Sequence, residues 1–126
     1  MACQEESMSH MVHLVNNERR KAGVRDLVWD SRLAKAAQDQ CNYMASYGLT
    51  HENHISGSIG TRVSAHHFLW SGCAENIAHG HEDANAAIRG WLNSEGHRKN
   101  MLNPNYTHFG AGFLNGYWAQ VFGREM

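Results

Sequence analysis

The tetrapeptide Leu114-Asn115-Gly116-Tyr117 constrains this chain more than any other feature of it. Asn-Gly between two alternating runs favours a two-residue type I′ turn, because both central residues need positive φ and these two residue types tolerate it best. Such a turn sets the register of its flanking strands. With Leu114 opposite Tyr117, the side chains of Phe109, Phe113, Trp118 and Phe122 share one face, and those of His108, Gly110, Gly112, Ala119 and Val121 share the other. The aromatic face has to be buried. The opposite face is too small and apolar for open water, so another segment must approach its backbone closely. Helices on both sides satisfy both faces, which predicts an α+β fold: a three-layer α-β-α sandwich with a small antiparallel sheet between helices.

The rest of the chain supplies those helices. Met8, Met11, Val12 and Val15 recur at three- and four-residue steps and predict a helix from Ser7 that ends at Gly23. A short extended piece, Leu27 to Trp29, leads to Asp30 as N-cap of a second helix, striped by Leu33, Ala37, Cys41 and Met44 and stopped at Gly48. Residues 50–62 lack periodicity and read as a loop carrying His51, with room for a short helix over Thr61 to His67. Phe68 to Ile77 reads as a strand. Glu82-Asp83 opens a further helix with the stripe Ala84, Ile88, Trp91 and Leu92; Gly96 is expected to end it and to place His97 just beyond. Asn103-Pro104 breaks the chain before the two final strands. At 126 residues, one domain over 1–126 is expected.

Charge excludes some functions. Eleven basic against twelve acidic side chains leave a formal charge of −1, so neither nucleic acid nor an anionic membrane surface is an expected partner. No apolar run approaches the roughly 20 residues of a transmembrane segment. Cys3, Cys41 and Cys73 are odd in number and lack CxxC spacing; one disulfide, with Cys41 to Cys73 as the expected pair, stands against three reduced thiols. No basic-then-apolar leader follows Met1, and a mature secreted domain whose signal segment has been removed reads the same way. The sequon Asn105-Tyr106-Thr107 matters only in a glycosylating secretory pathway.

Two segments could carry chemistry. Cys73-Ala74-Glu75-Asn76-Ile77-Ala78 places a carboxylate and an amide side by side on a strand, where neighbours point to opposite faces. Trp91 to Leu102 ends a helix and turns near His97. A single loop histidine or strand glutamate is ordinarily solvated or salt-bridged; the combination is more informative. Glu75-Asn76-Ile77, Gly96-His97-Arg98, Asn100-Met101-Leu102 and Tyr117-Trp118-Ala119-Gln120-Val121-Phe122 together resemble the CAP superfamily of cysteine-rich secretory, antigen 5 and pathogenesis-related class 1 proteins, in its short, bacterial-type SCP-like branch.

The resemblance runs from about Met11 to Gly123. It implies the α-β-α sandwich, a secreted or extracellular protein, and a cleft of two histidines and two glutamates. Carried onto this chain, these are His51, Glu75 and His97. The fourth position, three residues after Trp91, holds Ser94, with Glu95 one step further on, so Glu95 would serve only if the helix end were rewound. His51 and His97 are the expected metal ligands, with Glu75 as a third; zinc is the expected ion, leaving a position for water, and no organic cofactor is expected. His108 is a further histidine but lies outside this pattern, and His54, His66, His67, His79 and His81 read as loop residues.

Neither an H-E-x-x-H helix nor a G-x-S-x-G elbow is present, and Ser71 and Ser94 lack a nucleophile's setting. The expected function is therefore recognition of a lipid, wall component or protein partner. A metal-dependent hydrolase or peptidase using the same cleft is the alternative, and a ligand-free structural domain is the third.

Overall fold

A computed structural model of the chain describes residues 8–126; the expected helix start at Ser7 and the thiol of Cys3 lie outside the described residues. Five helices and four strands follow in the order α1 (Met11–Lys21), β1 (Val28–Trp29), α2 (Ser31–Tyr47), α3 (Ile59–Ala65), β2 (Trp70–His79), α4 (Ala84–Leu92), α5 (Glu95–Leu102), β3 (His108–Leu114) and β4 (Tyr117–Glu125). The strands form one sheet in the order β1-β3-β4-β2. β3, β4 and β2 are antiparallel, while the two-residue β1 runs parallel to β3, so the sheet is mixed rather than purely antiparallel.

The hairpin forms as its turn dictates. Leu114 pairs with Tyr117 and Phe113 with Trp118, and Asn115 and Gly116 take φ of 51° and 83°. On the aromatic face, Phe109, Trp118 and Phe122 pack with Met11, Val12 and Val15 of α1, Ile88 and Trp91 of α4 and Met101 of α5. On the small-residue face, Ala119 and Val121 pack with Leu33, Ala37, Cys41 and Met44 of α2 and Val63 of α3. The close approach is literal. A Cβ on Gly110 would stand 2.1 Å from the backbone nitrogen of Ala34, and one on Gly112 would stand 2.8 Å from that of Gln38.

Asp30 caps α2, accepting from the backbone N–H groups of Arg32 and Leu33. The region after α4 departs from expectation. α4 stops at Leu92, Ser94 turns to extended backbone (φ −114°, ψ 123°), and α5 then begins at Glu95. Gly96 therefore lies inside a second helix, and His97 sits in its first turn rather than beyond a helix end. Strand β2 also runs two residues later than the expected Phe68 to Ile77.

The expected Cys41–Cys73 disulfide is absent: both are free thiols. Cys41 is wholly buried between α2 and the sheet, where its sulfur accepts from the Ala119 backbone. Burial, with the nearby charge of Glu75, pushes its thiol far above the ordinary range, which keeps it protonated.

Candidate functional site at the outer edge of the sheet

β2 is an edge strand, and its two central residues face opposite layers. Glu75, across from Val121, points toward α2 and α3; Asn76, across from Gln120, points toward α5. This alternation lets one edge gather groups from both helical layers.

The Glu75 side chain is 2% exposed. One of its oxygens, Oε1, lies 3.0 Å from Nδ1 of His51. The other, Oε2, lies 2.8 Å from Nη1 of Arg62, whose side chain is fully buried. That second contact is an ion pair by distance without hydrogen-bond alignment, and both Oε2 and Arg62 Nη2 are buried without a hydrogen-bond partner. Charge attraction needs no alignment, so the pair still offsets part of the cost of burying both ions. Arg62 is anchored further by donating to the carbonyls of Gly57 and Ala36. It fixes Glu75 from beneath, and Glu75 fixes the ring of His51, whose side chain is 58% exposed.

His97 arrives from the other layer. Asn76 donates to its backbone carbonyl at 3.0 Å, and the same amide group donates to Gln120 and accepts from Asn100. Two of these bonds, to the His97 carbonyl and from Asn100, tie α5 to the sheet, and the third braces Asn76 against Gln120 on the neighbouring strand. Partial burial lowers the pKa of His97, and the charge of nearby His51 lowers it further. The structure thus brings His51, Glu75 and His97 to one edge.

Glu95 does not join them. Because the chain breaks at Ser94 instead of rewinding, Glu95 lies in the first turn of α5, 73% exposed and paired with Lys99 one turn on. Ser94 occupies the N-cap position of α5 without a side-chain capping bond. Ser71 donates to the carbonyls of Arg124 and Glu125 and so ties strand ends together. His108 accompanies Thr107 and packs edge-on against Phe68, away from the site.

Among the described residues, no three His, Cys, Asp or Glu side chains are grouped to hold a metal ion. The two oxygens of Glu75 already face His51 and Arg62, and Glu95 faces water, so two imidazoles remain as donors. That set does not fit a resident tetrahedral zinc, which takes three or four protein ligands. Four surface depressions of about 280–520 Å³ lie elsewhere, and none has His51, Glu75 or His97 in its lining.

Arg62 escapes notice in a motif search, yet its position carries a signal. It follows Ile59 by three residues and precedes Val63, which places a cation on the apolar stripe of α3. Arg19 has the same signature, four residues after Val15; it is fully buried and donates to the carbonyls of Arg25, Met101, Asn103 and Tyr106. Two loop histidines also prove to be struts, with His54 joined to Tyr43 and His66 to Asp39 of α2.

Known proteins share this architecture. The chain is 36% identical over 115 residues to YkwD of Bacillus subtilis, covering 89% of this chain and 45% of that protein. It is 38% identical over 120 residues to the B. subtilis membrane protein YlbC, covering 94% and 35%. The crystal structure of an extracellular protein with an SCP domain from Bacillus anthracis superposes with a TM-score of 0.91 at 33% identity, covering 97% of this chain and 41% of that one. The chain therefore spans less than half the length of these relatives. No helix among the described residues is long and apolar enough to cross a membrane. The model of the CAP, or cysteine-rich secretory protein, family matches residues 12–122, and with the motifs and the sandwich in agreement, the chain belongs to that family.

Proposed function

We propose that this CAP domain is a recognition module, acting outside the cell on a lipid, a wall component or a protein, and that His51 and His97 form its contact site. The supporting observation is the contrast in burial within one ion-paired chain of groups. Glu75 is 2% exposed and His51 is 58% exposed, so a carboxylate sunk in the fold holds an imidazole at the surface. A carboxylate only accepts, so the neutral form of the His51 ring would donate from Nδ1 to Glu75 and leave Nε2 as a hydrogen-bond acceptor. The extracellular B. anthracis neighbour supports the same setting for this chain.

The hydrolase reading draws on the same pair, since a carboxylate-oriented imidazole also serves as a general base. It lacks a placed nucleophile: Ser71 is committed to strand-end carbonyls, and Ser94 marks the break before α5. Zinc added to the protein has two imidazoles to meet, and its affinity is expected to be weak.

Co-sedimentation with isolated cell walls and with lipid vesicles, using wild type and a His51→Ala, His97→Ala double variant, tests the proposal. Both positions are solvent-accessible, so the variant is expected to keep its fold by circular dichroism and lose binding. Equal binding by both proteins would place recognition elsewhere. Turnover of a peptide, ester or glycan library that disappears in the double variant would replace recognition by hydrolysis.

A further inference from the structure

A second surface feature lies on the flank of the small-residue layer and shares no residue with the His51 site. α2 and the loop after it enclose a depression of about 280 Å³ lined by Asp39, Asn42, Tyr43, Ser46, Tyr47, Asn53, Ile55 and Ser56. Its walls are a helix and a loop, and both are fixed. Gln40 donates to the carbonyls of Thr50 and Glu52, Asn53 bonds back to Gln40, and Tyr43 bonds to His54.

Tyr47 is the unusual residue in this wall. Its ring is stacked on Tyr43 with centroids 4.5 Å apart, and His54 meets both rings edge-on. Two neighbouring rings therefore hold its orientation, yet Tyr47 remains 57% exposed. An aromatic residue that packed only for stability would be expected to bury more of itself than that. On the loop wall, Ile55 is 70% exposed. Two apolar surfaces thus stand open on different walls of a depression that also carries amide, hydroxyl and carboxylate groups. No lysine or arginine lines it.

The chemistry of that lining selects a ligand. A pre-oriented, open aromatic face takes the C–H face of a flat, polyhydroxylated ring, while short Asn, Ser and Asp side chains around it exchange hydrogen bonds with hydroxyls directly or through water. The absence of basic residues disfavours phosphate, sulfate and carboxylate ligands. The volume falls just below the usual range for ligand pockets, about 300–1,000 Å³, which suits one sugar ring rather than a long chain. From these observations we infer that the Tyr47 depression is a saccharide subsite that takes a single uncharged sugar ring, with Tyr47 as its stacking platform and Asp39, Asn42, Ser46 and Ser56 as its polar contacts.

The depression shares no lining residue with the His51 and His97 site, so either proposal can fail without the other. Amide-resolved NMR titration of the intact chain with chitotriose and with cellotriose, in separate arms, is the test; the two arms distinguish an acetamido sugar from a plain hexose. The expected result is a saturable shift in at least one arm, confined to residues 39–47 and 53–56. Tyr47→Ala is expected to weaken that binding about tenfold, the scale of one lost aromatic contact, while Tyr47→Trp retains it. Tyr47 closes the last turn of α2 and is largely exposed, so both variants are expected to fold, and their unshifted spectra elsewhere will show it. Absence of shifts with either sugar, shifts located elsewhere, or undiminished binding by Tyr47→Ala would overturn the inference.

Discussion

Removing the guanidinium of Arg62 leaves the Glu75 carboxylate 2% exposed with no cation beneath it. Arg62→Ala is therefore expected to destabilise the fold by about 3–5 kcal/mol in denaturant titrations, more than a cavity of that size alone explains, because a buried charge is left uncompensated. Restoring most of that loss with a second change, Glu75→Gln, would identify the ion pair as the cause. His97 supplies a pH dependence whose sign follows from its lowered pKa. The folded state favours the neutral ring, so the unfolded chain binds more protons as pH falls below about 6.5, and stability drops across that window. Thermal melts of wild type and His97→Gln between pH 8 and 5 are expected to diverge there, with the variant losing less. His51, Glu75 and His97 were candidates because the resemblance of their motifs to a known family carries its cleft pattern onto those positions. The sequence did not show Arg62, which belongs to no motif and announces itself only as a cation on an apolar stripe. It left Glu95 conditional on a rewound helix end, since the direction of that side chain depends on a backbone break at Ser94 that leaves no mark in periodicity.

Among the elements, the β3–β4 hairpin was the most legible, because turn chemistry and strand alternation specify the same register. Its small face then required α2 to lie almost on the backbone. Gly110→Ala is expected to cost about 3 kcal/mol or more by calorimetry, since its Cβ would meet the backbone of Ala34, which cannot move aside as a side chain could. The α4–α5 junction was the least legible. One helix to Gly96 was expected, whereas the chain forms two, and the second is held by the Asn76 relay together with the buried Met101 side chain and the bond from Arg19 to its carbonyl. Asn76→Ala is accordingly expected to strip α5 of both bonds, lowering stability by about 1–3 kcal/mol and raising amide exchange in residues 95–102 ahead of the sheet. Uniform exchange across the molecule would show that α5 is held by other contacts.

At the scale of the whole molecule, the site exists because an edge strand looks into two layers at once. Glu75 reaches the α2–α3 layer and Asn76 the α5 layer, so His51 and His97, which are distant in sequence, come within electrostatic reach of each other where the sheet ends. The layered fold could be anticipated because each sheet face declares its need for cover; the convergence at the edge was expected only through the family resemblance, because it depends on how loops close around β2. In the proposed recognition site, the buried Arg62–Glu75 pair dictates how the His51 ring is presented. Long-range proton–nitrogen NMR of the imidazoles near pH 8, above the range in which an ordinary imidazole takes up a proton, measures this directly. A His51 ring protonated at Nδ1, with Nε2 bare and the preference lost in Glu75→Gln, is the predicted result. A ring protonated at Nε2, or one averaging both forms as a free surface histidine does, would contradict it.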